Sequence, residues 1–553
     1  MTSPPATVSG WTFADVFESV AAALPDAPAL LYGPIERTWT EFDRRANSLA
    51  RHLLDAGAGH QDKVAFYLYN RPEYIEAFLA CSKASLVHVN TNYRYVDDEL
   101  VYVWDNADAV AVVFQGVFTT TIERIRERVP AVHTWLWVDD GHGPCPDWAT
   151  PYEIAAATAT TGRVTAPEGR SGDDLVFIYT GGTTGMPKGV MWRQDDLFMV
   201  TDRGNRHALP DVPDLDDSGL SPAAMARCAK AGPLGLPACP LMHGTGLLSS
   251  LNTMALGGSI VTLESTRFDV EEFLDTIDHR RVKSTIIVGD VFAKPILAAL
   301  DQHPGRWDIS SLRLIISSGV MWSAESKQAL LDRHPGLMLV DSYGSSEALG
   351  MGSSVSTGDS AAKTASFRLR DDAVVITDDG RLVEPGSGEI GRVGLTGRTP
   401  VGYYRDPEKS AATFPVIDGV RYSVPGDFAT VETDGSITLL GRGSVCINSG
   451  GEKIFPEEVE EVLKLHPAIA DAVVVGIPDD RFGQAVTAVV ESATGAHDAN
   501  HVDESELIAH VKEHLAAHKA PKRVFPVAAL ERAANGKVDY QRWSEHAAAE
   551  AGA

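Results

Sequence analysis

Tyr179 to Val190 reads Y-T-G-G-T-T-G-M-P-K-G-V and follows an apolar run at Leu175 to Ile178. Gly181, Gly182, Gly185 and Gly189 let the backbone come close to an anion and present its N–H groups. Thr180, Thr183 and Thr184 add hydroxyl donors, and Lys188 adds a compact positive charge. Such a loop suits a polyphosphate; composition alone also fits a flexible Gly/Thr turn with a solvated lysine. The P-loop of nucleoside triphosphatases needs Gly directly before its Lys and Ser or Thr directly after. Pro187 precedes Lys188 here and Gly189 follows, so that class is excluded by its own signature.

Further polar groups recur downstream in short, Gly-rich or Ser-rich strings. Pro240 to Gly246 (P-L-M-H-G-T-G) carries His243, and Ser317-Ser318-Gly319-Val320 closes a strand-like segment. Asp341 to Glu347 (D-S-Y-G-S-S-E) carries Tyr343, Gly344, Ser346 and Glu347. Tyr422 to Asp427 (Y-S-V-P-G-D) is followed by Leu440-Gly441-Arg442, Gly450-Gly451-Glu452-Lys453 and, near the C-terminus, Asn535-Gly536-Lys537-Val538. Taken singly, each has a bland reading: a satisfied core histidine, a solvated acid, a turn-forming Gly-Asp, one exposed lysine among many. Taken in order, from about residue 40 to residue 543, they resemble the motif series of the adenylate-forming superfamily. That group comprises acyl-CoA synthetases, the adenylation domains of peptide synthetases and beetle luciferases.

The resemblance implies a role for each position. Thr180 to Gly185 and Lys188 would hold the β- and γ-phosphates of ATP. Ser318 and Gly319 would lie against adenine and Tyr343 would stack on it, with Gly344 beside it. Ser346 would reach the α-phosphate, and Glu347 would supply the hard oxygen that Mg²⁺ takes next to phosphates. Asp427 would accept from both ribose hydroxyls and Arg442 would touch the same sugar. Ser444 stands where many relatives carry a hinge Asp or Lys. Gly450 and Gly451 would line the tunnel for the coenzyme A thiol. Lys537 would span the carboxylate and the α-phosphate as negative charge builds, the kind of electrostatic stabilisation that dominates many catalysed steps. His243 would flank the carboxylate as a pocket wall; no base is required, because a carboxylate is already ionised at neutral pH. Departures are Ser346 in place of Thr, Val424-Pro425 in place of a Thr, and the loose match at Ser317 to Val320. Gly402 to Ser410 (G-Y-Y-R-D-P-E-K-S) resembles a stretch that is mostly structural, and no chemistry is assigned to it.

The implied reaction is ATP-dependent activation of a carboxylic acid through an acyl-adenylate, followed by transfer to CoA. Small residues cluster on the acyl side (Gly244, Gly246, Ser249, Ser250, Gly289, Gly319), with Met242, Leu247, Leu248 and Phe292 as apolar walls. That favours a bulky or long acid over acetate. Val190 to Arg193 and Gly441 to Asn448 resemble a subgroup of bacterial acyl-CoA synthetases acting on fatty acids or steroid side-chain acids. Two other readings are an acyl-AMP ligase that loads a separate carrier protein, and a non-catalytic nucleotide-binding homologue.

The elements needed to position these groups alternate along the chain. Residues 40–56 place Phe42, Ala46, Leu49 and Leu53 on one helical face with Thr40 as N-cap. Val64 to Tyr69, Ala109 to Phe114, Thr285 to Val288 and Leu312 to Ile316 read as strands. Val270 to Ile277 and Ala324 to Asp332 read as helices. This predicts an α/β fold: a large N-terminal domain of layered, mostly parallel sheets over 1–442. Residues 209–222, rich in Pro, Asp, Gly and Ser, read as a surface excursion. After Ser444 the style changes. A helix at Pro456 to Leu465, strands at Ala472 to Ile477 and Ala485 to Val490, and a helix at Glu504 to Ala516 predict a small, mobile α+β domain over 445–553.

A chain of 553 residues exceeds one ordinary domain. Its net charge of −27 repels phosphate backbones and argues against a nucleic-acid partner. Five cysteines, none at metal-ligand spacing, argue for a reducing compartment. No apolar run reaches bilayer-spanning length and no charged n-region opens the chain, so a cytoplasmic protein is expected. Monomer and homodimer are both compatible with the sequence.

Overall fold

The computed structural model describes residues 11–157, 162–164, 166–180, 186–206, 232–358, 361–449, 452–479, 483–493, 503–533 and 536–552, without the side chains of 202–206, Ser444 and Lys453. The described residues form two compact units, one from 1–180, 186–362 and 396–415, the other from 363–395 and 416–553.

The first unit contains two sheets. In one, the strands run in the order Gly402–Tyr403, Lys188–Arg193, Leu175–Thr180, Val87–Asn90, Lys63–Tyr67, Ala109–Gln115, Thr134–Val138 and Thr150–Pro151. From Leu175–Thr180 onward every neighbour is parallel, which requires crossovers such as the helices Pro72–Lys83 and Asp97–Asn106. Covered on both faces, these strands read as unbroken apolar runs; Val64, Ala65 and Phe66 are fully buried. Lys188–Arg193 and Gly402–Tyr403 are antiparallel additions at one edge.

In the second sheet, Ser259–Thr262, Leu234–Pro237, Ser284–Ile287, Leu314–Ser318 and Met338–Ser345 run parallel in that order. Ala348–Thr357 returns antiparallel as a hairpin, and Pro28–Tyr32 with Ile35–Thr38 extends the other side. The crossover helices are Val270–Arg280, Asp290–Gln302 and Ala324–Arg333.

The helix expected at 40–56 spans Trp39–Asp55 and buries Phe42, Ala46, Leu49 and Leu53. Its cap is Thr38, not Thr40: the Thr38 hydroxyl accepts from Glu41 N at 3.2 Å, while Thr40 Oγ1 donates to Pro25 O at 2.9 Å. Burial of the Trp39 ring draws the helix start back, and the second threonine is used to tie down the preceding loop. The strand expected at 312–316 lies at Leu314–Ser318, because Ser317 and Ser318 continue the pairing with Asp341 and Ser342. Residues 209–222 lie outside the described residues.

The second unit is built mostly of antiparallel ladders. One runs Ala373–Ile376, Gly391–Leu395, Asp427–Val431, Ser436–Arg442, Ser366–Leu369. After the 3₁₀ turn Gly443–Val445, a separate sheet forms from Glu452–Ile454, Ile447–Ser449, Gly483–Ser492 and Ile469–Asp479, with Arg523–Val527 parallel to Gly483–Ser492. Helices Pro456–Lys464, Glu504–His514 and Tyr540–Gly552 accompany it. The α/β class is as expected, with a large N-terminal domain and a small C-terminal one. The parallel preference belongs to the first unit alone.

Candidate active site

Residues 181–185 lie outside the described residues, but both shoulders of their loop are placed. Thr180 and Lys188 are cross-strand partners in the hairpin of Leu175–Thr180 and Lys188–Arg193. Lys188 Nζ stands 2.6 Å from Asp406 Oδ2 and 5.8 Å from the ring centroid of Tyr403. Asp406 caps the helix Pro407–Thr413 by accepting from Lys409 N at 2.9 Å, and its bond from the Lys188 ammonium holds its carboxyl below the usual range.

Tyr403 reaches in the other direction as well. Its hydroxyl donates to Glu347 Oε1 at 2.8 Å. Glu347 belongs to the second sheet, at the turn between Met338–Ser345 and Ala348–Thr357. Next to it, the fully buried Trp192 donates its indole N–H to Ser346 O at 2.9 Å. Gly344 is fixed by this tight turn: a Cβ there would fall 2.7 Å from Gly350 N. Tyr343, two residues upstream of Ser345, is buried in the strand. Lys188, Ser346 and Glu347 are thus tied together through two aromatic residues, Tyr403 and Trp192.

Three further loops meet at the carboxyl ends of parallel strands, where α/β sheets ordinarily hold ligands. His243 is the N-cap residue of the helix Gly244–Ala255, which follows Leu234–Pro237. Gly289, with φ +53°, leads into Asp290–Gln302; its N–H donates to Ser317 Oγ at 2.9 Å, and a Cβ there would lie 2.7 Å from Val320 Cγ2. Beside Gly319, Val288 Cγ1 and Thr245 Oγ1 stand 3.7 and 4.0 Å from where a side chain would begin. His243, Gly289 and the turn Ser318-Gly319 therefore belong to one region of the first unit.

In the second unit, Asp427 and Arg442 are direct cross-strand partners, with Arg442 Nε 3.0 Å from Asp427 Oδ1 and Asp427 buried. Arg442 N donates to Glu457 Oε1 at 3.3 Å. Burial, and then the neighbouring charge of Glu460, push the Glu457 carboxyl up to about 8. Ser444 lies in the turn Gly443–Val445. Gly450 and Gly451 lie outside the described residues. Lys537 is exposed, and its carbonyl accepts from Ala533 N at 2.8 Å.

Sequence reasoning left Tyr403 and Asp406 without chemistry and did not connect Trp192 with Ser346. Both of the first pair sit in the quoted string Gly402 to Ser410, so the signal was present as a motif. What it lacked was the fold that brings that string beside Lys188.

Residues 17–404 match the family AMP-binding enzyme, and residues 458–537 match AMP-binding enzyme C-terminal domain. The chain is 39% identical over 548 residues to a medium/long-chain-fatty-acid–CoA/3-oxocholest-4-en-26-oate–CoA ligase of Mycobacterium marinum, covering 96% of each chain. It is 37% identical to a 3-oxocholest-4-en-26-oate–CoA ligase of Rhodococcus rhodochrous, covering 96% of this chain and 95% of that one. Its fold is similar to that of the anthranilate CoA ligase AuaEII, with a TM-score of 0.81 and 21% identity over 100% of this chain and 99% of that one. With most of its length matched and the motif order intact, the chain belongs to the AMP-binding enzyme family, within the adenylate-forming superfamily.

Proposed function

We infer that this chain is an ATP-dependent acyl-CoA synthetase acting on a medium- to long-chain fatty acid or a steroid side-chain acid. The observation that carries the reading is the link from Lys188 through Tyr403 to Glu347, which joins the phosphate-loop hairpin to the turn bearing the acid. The acid class rests on the small residues around His243, Gly289 and Gly319 and on the names of the Mycobacterium marinum and Rhodococcus rhodochrous relatives.

A carboxylate oxygen attacks the α-phosphorus of ATP, the bond from the α-phosphorus to the α,β-bridging oxygen breaks, and pyrophosphate leaves with the electron pair. The chain's work is positioning and charge neutralisation. Lys188 exchanges Asp406 for the triphosphate. Ser346 reaches the α-phosphate, Tyr343 and the turn Ser318-Gly319 hold adenine, and Asp427 with Arg442 holds the ribose. Glu347, held through one oxygen by Tyr403, is a hard donor of the type that suits Mg²⁺, which when bound neutralises phosphate charge. Lys537 stabilises the charge that grows on the α-phosphate. His243 walls the acyl pocket. The CoA thiol then attacks the acyl carbon, AMP leaves, and the thioester forms, with Gly450 and Gly451 beside the tunnel.

We take 1–442 as the adenylation domain and 445–553 as the part that rotates about Ser444. This is supported by the end of one ladder at Arg442 and the start of a new sheet at Ile447. The reducing cytoplasm is the compartment we assign; no helix among the described residues is long and apolar enough to cross a membrane.

The test is hydroxylamine trapping of acyl-adenylate over short, long, aromatic and steroidal acids, repeated with CoA. Hydroxamate from long or steroidal acids, replaced by thioester when CoA is added, is the expected result. No pyrophosphate release with any acid would leave a non-catalytic nucleotide binder. Adenylate without thioester would point to a carrier protein as acceptor.

A further inference from the structure

His510, Glu513 and His514 lie in the last turn of the helix Glu504–His514, apart from every residue assigned above. At i, i+3 and i+4 they share one helix face, and their ligating atoms all lie within 4.8 Å of one another. Glu513 and His514 are exposed and His510 is half-buried, so a solvated ion has access.

The imidazole protons are fixed by backbone carbonyls. His510 Nε2 is 3.0 Å from Val462 O, and His514 Nδ1 is 2.8 Å from His510 O. A carbonyl only accepts, so these nitrogens carry the hydrogens, and His510 Nδ1 and His514 Nε2 keep their lone pairs. An imidazole anchored through its N–H to a carbonyl is the arrangement that orients a metal-ligating histidine. The neighbouring His466 is different: its Nδ1 accepts from Ala468 N at 3.3 Å and its Nε2 faces Glu506 Oε1 at 3.4 Å. Both of its nitrogens are engaged, which leaves the ligand set at two histidines and one carboxylate. The cluster also sits at a helix C-terminus, where the macrodipole favours a cation.

We propose that His510, Glu513 and His514 bind a divalent transition cation of the zinc–copper class, with water completing its coordination. Two imidazoles and a carboxylate select such an ion over Mg²⁺, which prefers oxygen donors. Ligands about 2.1 Å from a tetrahedral zinc stand about 3.4 Å apart, a closure that the exposed Glu513 side chain reaches by changing rotamer while the imidazoles make small adjustments.

The full-length protein, stripped with a chelator, is titrated with zinc by calorimetry near neutral pH in excess Mg²⁺. The wild type should show a site that His510→Gln/His514→Gln weakens by at least about tenfold. With Cu²⁺, electron paramagnetic resonance should show nitrogen coupling that this variant loses. With Mg²⁺ supplied and zinc withheld, acyl-CoA formation by the variant should equal that of the wild type, since none of the three residues is in the proposed machinery; this separates the metal site from the ligase reading. Equal zinc stoichiometry and affinity in the two proteins would overturn the proposal.

Discussion

Lys188 and Glu347 are brought into register by tertiary packing, whereas Asp427 and Arg442 are brought together by one antiparallel ladder. The first pair lies on two sheets of the first unit and is related through Tyr403 and Trp192. The second needs only the alignment of Asp427–Val431 with Ser436–Arg442. A pair set by ladder register depends on backbone hydrogen bonds that no single side chain controls. A pair set by packing depends on the bridging side chains, so its weakest member is a residue that has no chemistry of its own.

That contrast can be broken at several points. The largest effect belongs to Lys537, which is exposed in the second unit. Lys537→Ala should lower acyl-adenylate formation by on the order of a hundredfold or more, yet still convert supplied acyl-AMP to thioester. Equal loss in both assays would end the division of labour. Next comes Lys188→Ala, which should raise the ATP KM by about tenfold while moving the acid KM much less. Steady-state kinetics with each substrate varied would show an unchanged ATP dependence if the phosphate-loop assignment is wrong.

Tyr403→Phe tests the bridge itself. It deletes a hydroxyl that donates to a carboxylate and should cost about 1 kcal/mol, roughly fivefold in kcat/KM for ATP, with a higher Mg²⁺ requirement. If Mg²⁺ titrations of variant and wild type superimpose, the bond to Glu347 does not position the acid.

The smallest effect is on stability. The Glu457 carboxyl moves from an ordinary 4.5 to about 8 on folding. Below 4.5 it is protonated in both states. Between the two values the unfolded chain gives up a proton that the folded one keeps, so stability falls as pH rises and the loss is complete above about 8. Glu457→Gln should flatten part of this slope and raise Tm on the alkaline side by about 3 °C. Melting curves with the same pH dependence in both proteins would show that Glu457 keeps its charge when folded.

Much of this was legible in the amino-acid order. Leu175 to Ile178 reads as a strand because it is an unbroken apolar run, and Val176, Phe177 and Ile178 are buried in it; the glycines and Lys188 after it read as an anion loop. The motif order puts Asp427 and Arg442 in one site, and the ladder makes the two direct neighbours. Tyr403 was not legible. Its importance arises from a two-residue edge strand, Gly402–Tyr403, paired with Lys188–Arg193, and no local periodicity reveals so short a partner. Glu347 alone reads as a solvated acid, yet it sits where the chain turns back as a hairpin, between Ser345 and Ala348. Thr38 and Thr40 are both good caps, and only burial of Trp39 decides between them.

The contact between Lys188 and Asp406 has a consequence for selectivity. The ammonium already has an anion at 2.6 Å, which a further anion must displace or share. Any incoming anion is weighed against this built-in competitor. Inorganic phosphate or a monophosphate offers little more than the carboxylate it displaces, while a chain of phosphates held at several points offers much more. In the role proposed for Lys188, Asp406 is thus the internal competitor that sets how much an anion must offer to displace it.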